Sequence, residues 1–201
     1  LDFAYFLRDK YLADDNFVNI DIKKILDDKF LIEEFNVFEN YKKSMFVDEV
    51  LSSTSHYSIV DKSGNAISAT SSIESSFGSR LFTNGFFLNN QLTDFSFKQK
   101  DIAGNFYKNR VEGGKKPLSS MSPLIIFDTK GDFLMTIGSP GGKAIISYVS
   151  RILIDYFYFG KKIEESINDS NYLRIYGKTF IEDGKLKGSI NDKAQVRSLT
   201  S

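Results

Sequence analysis

The chain has 201 residues, no cysteine, one histidine, and 26 basic against 26 acidic side chains. That balance leaves no net field to favour nucleic acid or an anionic membrane, and the lack of cysteine excludes disulfides and thiolate metal sites. Nineteen phenylalanines and only three prolines describe a packed domain rather than a disordered chain. Leu1, Phe3, Ala4, Phe6, Leu7 and Tyr11 fall near helical spacing and predict a first helix, with another short helix expected around 22–30. From Tyr57 the text changes to hairpins. "HYSIVD" and "AISATS" are β-rich runs joined by "KSGN". "SRLFT" and "FFLNN" flank Asn84-Gly85, and "LIIFDT" and "FLMTIG" flank "KGD". Residues 143–159 predict an amphipathic helix with Ile145, Ile146, Val149, Ile152, Leu153, Tyr156 and Phe157 on its apolar face and Gly160 as the stop. This stretch holds Arg151 and Asp155 and is too short and too charged to cross a bilayer. A shorter helix over 162–168 and a final hairpin in "KTFIEDGKLKGSI" follow. Strand pairs followed by helices predict a layered α+β domain.

The stretch "SSTSHYSIVD" places hydroxyl residues beside the lone histidine, His56. A hydroxyl is a weak nucleophile until a base takes its proton. On a strand, Thr54 and His56 share a face at roughly 6.5–7 Å along it, a poor hydroxyl–imidazole pair. His56 is therefore read as structural. "GSPGGK" fails as a phosphate loop, because Ile137 stands where the first glycine is needed and Ala144 where a Ser or Thr belongs. It fails as a hydrolase elbow for the same reason at Ile137. Gly141 and Gly142 precede a helix, and their amides would suit a developing oxyanion. A plain glycine-rich helix start accounts for them equally well.

"TSHYSIVDKSGNAISATSSI", "FLNNQLTDFS", "KKPLSSMSP" and "GSPGG" together resemble the catalytic subunit of the gamma-glutamyltranspeptidase family, in order and spacing. "YLADDNFVNIDIKKILDDKF" resembles the end of that family's large subunit. The resemblance implies an N-terminal-nucleophile hydrolase fold, an αββα sandwich, present here in part. It implies two regions: residues 1–53 as the helical end of the large subunit, and 54–201 as the small-subunit catalytic domain. It also implies a precursor that cuts itself before Thr54. The amine so exposed, rather than His56, would be the base; an α-amine titrates at about 7.7–8.0. Carried over by position, Ser72 supports the nucleophile, and Gly141 and Gly142 form the oxyanion hole. Gln91 and Asp94 hold the substrate's α-amino group, and Ser119 and Ser120 its α-carboxylate. No metal or cofactor is implied.

The sequence departs from the family pattern at three places. Glu74 stands where well-known members have asparagine, in "SSIESSFGSR", which looks more like a bacterial branch including cephalosporin-acylase-like proteins. Glu74 is carried as a substrate contact on that basis. The segment between "TDFS" and "PLSS" is shorter than in members with a lid. An arginine that the family's large subunit supplies for the substrate carboxylate has no counterpart here. The chain opens on Leu1 rather than Met, so further sequence upstream is expected. The expected function is transfer or hydrolysis of γ-glutamyl amides such as glutathione, with the large subunit of the same precursor as partner. The resemblance points to a periplasmic or extracellular location, and the chain itself leaves a cytoplasmic one open. Two alternatives stay open: an acylase of the same fold acting on another side-chain amide, and a truncated, non-catalytic homologue.

Overall fold

A computed structural model describes residues 1–40, 53–101, 104–175 and 177–182. Helix α1 spans Asp2–Tyr11, as the spacing predicts. The helix expected around 22–30 is instead two: α2 (Ile22–Ile25) and the longer α3 (Asp28–Asn40). Two aspartates explain the break. Asp21 accepts from the Lys24 N–H (3.0 Å) and Asp27 from the Phe30 N–H (3.0 Å), so each caps its own helix start. Then come β1 (Thr54–Val60), β2 (Ala66–Ser72), β3 (Phe82–Thr83), β4 (Phe86–Phe87), β5 (Leu124–Phe127) and β6 (Phe133–Ile137). Helices α4 (Ile145–Phe157) and α5 (Ile163–Asn168) and strands β7 (Tyr172–Ile175) and β8 (Lys178–Ile181) complete the described part.

Three of the predicted hairpins form with their predicted partners. β1 pairs antiparallel with β2, β3 with β4 and β5 with β6. Asp61 closes the first turn by accepting from the N–H groups of Ser63 (2.8 Å) and Asn65 (2.9 Å). Asn84 adopts φ 49° and Gly85 φ 89°, which is why Asn-Gly connects β3 to β4. "KTFI" forms β8 and pairs with β7 upstream of it, across a two-residue connection that includes Gly177 at φ 76°. The downstream half of the expected hairpin lies outside the described residues.

The chain divides into two compact units. In the first, the N-terminal helices join Gln91–Ser119. Its helical part packs Phe3 and Phe6 of α1 against Phe35 and Phe38 of α3, with ring centroids 5.3–5.7 Å apart. Tyr5 and Phe95 are buried. Glu34 on α3 accepts from Lys10 Nζ (2.7 Å) and Tyr11 Oη (2.7 Å).

The second unit holds the β1–β2 and β5–β6 hairpins, α4 and α5. Its core gathers Ala144, Ile145 and Val149 with Leu173, Phe180 and Ile181. The buried surface of α4 differs from the expected stripe. Ser147 and Arg151 are buried, while Phe157 is exposed. Arg151 tolerates burial because it is paired. It donates to Asp155 Oδ2 (3.0 Å), the Ser166 carbonyl (2.9 Å) and Asn171 Oδ1 (3.0 Å), tying α4 to α5 and to the start of β7. No helix among the described residues is long and apolar enough to cross a membrane.

Candidate active site

Strand alternation puts Thr54, His56 and Ser58 on one face of β1, and the register sets Ser72, Thr70 and Ser68 directly opposite them on β2. The hairpin therefore presents a six-residue polar face with the histidine at its centre. At one end, Thr54 Oγ1 donates to Ser72 Oγ (3.0 Å). Ser72 in turn donates to the Ser53 carbonyl (3.4 Å), which also accepts from the Ile73 N–H (3.3 Å). The peptide bond preceding Thr54 thus has its oxygen between two donors and its neighbouring hydroxyl within a relay. Glu74 frames this corner through its backbone. Its N–H donates to Ser72 Oγ (3.0 Å) and its carbonyl accepts from the Ser53 N–H (2.8 Å). To do so it takes φ 70°, a left-handed conformation that disfavours a glutamate.

His56 sits along the same face. Its ring nitrogens bond Thr70 Oγ1 (2.8 Å) and Ser58 Oγ (3.1 Å), and Ser58 continues to Thr136 Oγ1 (3.1 Å) on β6. Ser68 donates to the Ile137 carbonyl (3.4 Å). The end of β6 therefore lies across the polar face. Gly138 follows directly, and a Cβ built there would meet His56 Cε1 at 2.2 Å. Its glycine is a matter of space, since the imidazole fills the place of a side chain. Three residues on, Gly141 takes φ 127° and Gly142 φ 55°, and the turn closes with Ala144 N–H to the Gly141 carbonyl (3.0 Å). Tyr148 of α4 covers this turn, with its ring 3.2 Å from where a Gly141 Cβ would stand. Burial, with a smaller push from the Glu182 carboxylate, raises the Tyr148 hydroxyl to about 12, so it stays protonated at neutral pH.

In the other compact unit, Gln91 and Asp94 occupy one 3-10 turn (Gln91–Asp94), and Gln91 Nε2 donates to Asp94 Oδ2 (3.1 Å). The chain leading to Ser119 is anchored by the Lys116 N–H on Asp14 Oδ2 (2.7 Å) and by the buried Lys115, whose ammonium donates to the Lys108 carbonyl. Ser120 accepts through its carbonyl from Ser122 Oγ (3.1 Å). The candidate residues thus form three local sets: Thr54, Ser72 and Glu74; Gly141 and Gly142; and Gln91 with Asp94. The serine pair lies on the segment that passes from one unit to the other. Sequence reasoning missed Gly138 and Tyr148. Only Gly138 left a signal, as a glycine directly after a strand.

The sequence profile of the family described as Gamma-glutamyltranspeptidase matches residues 1–196. The chain belongs to the gamma-glutamyltranspeptidase family. It is 34% identical over 182 residues to the glutathione hydrolase proenzyme of Pseudomonas sp. strain A14, covering 82% of this chain and 31% of that protein. It therefore spans about a third of the length of the curated relatives it matches. Its structure is similar to the gamma-glutamyltranspeptidase of Helicobacter pylori, solved as a threonine-to-alanine mutant. That likeness has a TM-score of 0.61 at 31% identity over 71% of this chain and 83% of that one. A cephalosporin acylase of Bacillus halodurans shares the fold, with a TM-score of 0.72 at 16% identity over 91% of this chain and 33% of that one. These likenesses place the chain in the N-terminal-nucleophile hydrolase fold, of which it is a part.

Proposed function

We propose that this chain carries the nucleophile of a γ-glutamyl transferase or hydrolase, with Thr54 activated by self-cleavage of the Ser53–Thr54 bond. The observation behind this reading is the hydroxyl relay from Thr54 through Ser72 to the Ser53 carbonyl. In the cut, Thr54 Oγ1 attacks the Ser53 carbonyl carbon. Its proton passes to Ser72, and Ser72 gives its own to the Ser53 oxygen. The Ile73 N–H stabilises charge on that oxygen. The C–N bond then breaks, the proton returns to nitrogen, and an ester replaces the peptide. That step frees the Thr54 amine, and water then hydrolyses the ester, leaving a carboxylate on Ser53 and freeing the Thr54 hydroxyl. The naming of its relatives as proenzymes favours such a precursor, and the rest of it would be the partner subunit.

In turnover the free amine takes the Thr54 hydroxyl proton and Oγ1 attacks the donor's γ-carbonyl. The Gly141 and Gly142 amides face the oxyanion. Asp94, oriented by Gln91, pairs with the donor's ammonium, and Ser119 and Ser120 donate to its carboxylate. Glu74 lies beside the nucleophile, where it would act on acyl-group preference. The amine returns its proton to the leaving group, and water or an amino-acid amine releases the acyl group. Intact-mass measurement on the full-length precursor tests the reading. Wild type should yield two chains, the smaller beginning Thr-Ser-His-Tyr, and Thr54→Ala should remain one chain. A processed wild type beginning elsewhere overturns the assignment.

A further inference from the structure

Asn109 lies between the segments proposed to hold the two ends of an amino-acid headgroup. Its Nδ2 donates to the Asp94 backbone carbonyl (2.8 Å) and its Oδ1 accepts from the Leu118 N–H (3.1 Å). Asp94 is the proposed ammonium contact, and Leu118 immediately precedes Ser119 on the proposed carboxylate segment. The partners fix the amide's orientation. Reversed, its oxygen would face a carbonyl and its NH2 an N–H. The residue is itself anchored, because its own carbonyl accepts from the Ser96 N–H (2.8 Å) and Ser96 forms a bridge with Arg110. Both arms of the amide thus start from a fixed point. The side chain is also short, with two rotatable bonds, so it acts as a stiff strut between two backbone positions.

We propose that Asn109 is a positioning residue that sets the spacing between the Asp94 and Ser119 segments, and so selects donors that carry ammonium and carboxylate on one carbon. This rests on the roles given above to Asp94 and Ser119. The reasoning is geometric. A ligand holding both groups must satisfy both segments at once and feels any change in their spacing. A ligand with only one group can shift bodily to suit whichever segment it meets.

The test uses the full-length enzyme and three competitive inhibitors: L-glutamate with both groups, glutarate without the ammonium, and 4-aminobutyrate without the carboxylate. Asn109→Ala should weaken L-glutamate about tenfold and raise KM for a γ-glutamyl anilide similarly. The two single-headed analogues should shift less than about twofold, and kcat should hold within about twofold. Asn109→Asp keeps the acceptor for Leu118 and loses the donor to Asp94, so it should show the same selective loss in a side chain of nearly the same size. Equal weakening of all three inhibitors, or no change in any, overturns the strut. Asp94→Ala separates this from failure of the site itself. If that variant loses L-glutamate while the Asn109 variants show no selectivity, only the strut is wrong. If wild type is not inhibited by L-glutamate, or Asp94→Ala binds it normally, the site assignment falls and the strut with it.

Discussion

Removing one hydroxyl at Ser72 tests the cleavage chemistry most directly. Ser72→Ala deletes the acceptor of the Thr54 proton (3.0 Å), the acceptor of the Glu74 N–H (3.0 Å) and a donor to the Ser53 carbonyl (3.4 Å). The first and third belong to the reaction, and the second is structural. Losing a preorganised oxyanion donor typically costs about 2.7–4 kcal/mol, a rate factor of about 10²–10³. Two features argue for the lower part of that range: the Ser72 contact is long, and the Ile73 N–H (3.3 Å) remains on the same oxygen. Losing the proton relay adds to it. The Glu74 N–H loses a partner, which costs about 1–3 kcal/mol of local stability. Self-cleavage of the full-length Ser72→Ala precursor should therefore slow about a hundredfold, followed by intact mass against time. Ser72→Thr restores the hydroxyl and should cleave within about tenfold of wild type. Cleavage of Ser72→Ala at the wild-type rate, with folding verified, would refute the relay.

The contact between His56 and Gly138 predicts a coupled pair. Gly138→Ala puts a methyl 2.2 Å from the imidazole, so the ring must leave Thr70 and Ser58, at about 2–4 kcal/mol, and Gly138→Ala with His56→Ser should recover a good part of it. Additive losses in denaturant unfolding would show that the two do not share that space. Glu74 at φ 70° should prefer the asparagine that tolerates this conformation, so Glu74→Asn should stabilise the protein by about 0.5–1 kcal/mol; an unchanged or lower denaturation midpoint counts against stored strain. Burial alone would raise the Glu34 carboxyl, but the Lys10 ammonium and Tyr11 hydroxyl outweigh it and hold it below its ordinary value. Its contribution is therefore present above the ordinary carboxylate range and is lost as pH falls through the depressed folded value. Glu34→Gln should lower the thermal midpoint at pH 7 and lose that deficit in acid; an equal deficit at both pH values would assign the loss to packing.

Much of the hairpin architecture was legible because turn chemistry is local. Asn84-Gly85 demands left-handed backbone, and Asp61 closes its own loop, so neither depends on distant residues. The polar face of β1 was legible as well, since period-two alternation is a property of any strand. The motif order also singled out Thr54, Ser72, Gln91, Asp94 and the glycine pair, of which the structure brings Thr54 to Ser72 and Gln91 to Asp94. What the sequence could not supply was partnership across the fold. Arg151, which reads as a break in an apolar stripe, is buried because Asp155, Ser166 and Asn171 converge on it. His56 was legible as structural, yet what holds it was not: Thr70, Ser58 and the bare backbone of Gly138, 82 positions away by residue number. Asn109 carries no motif at all. Its meaning lies in two backbone groups, one on either side of it in the chain, that only the folded loop brings within reach of one short amide. Local conformational preference is written residue by residue, whereas a hydrogen bond between distant segments exists only once the chain entropy of closing the loop between them has been overcome.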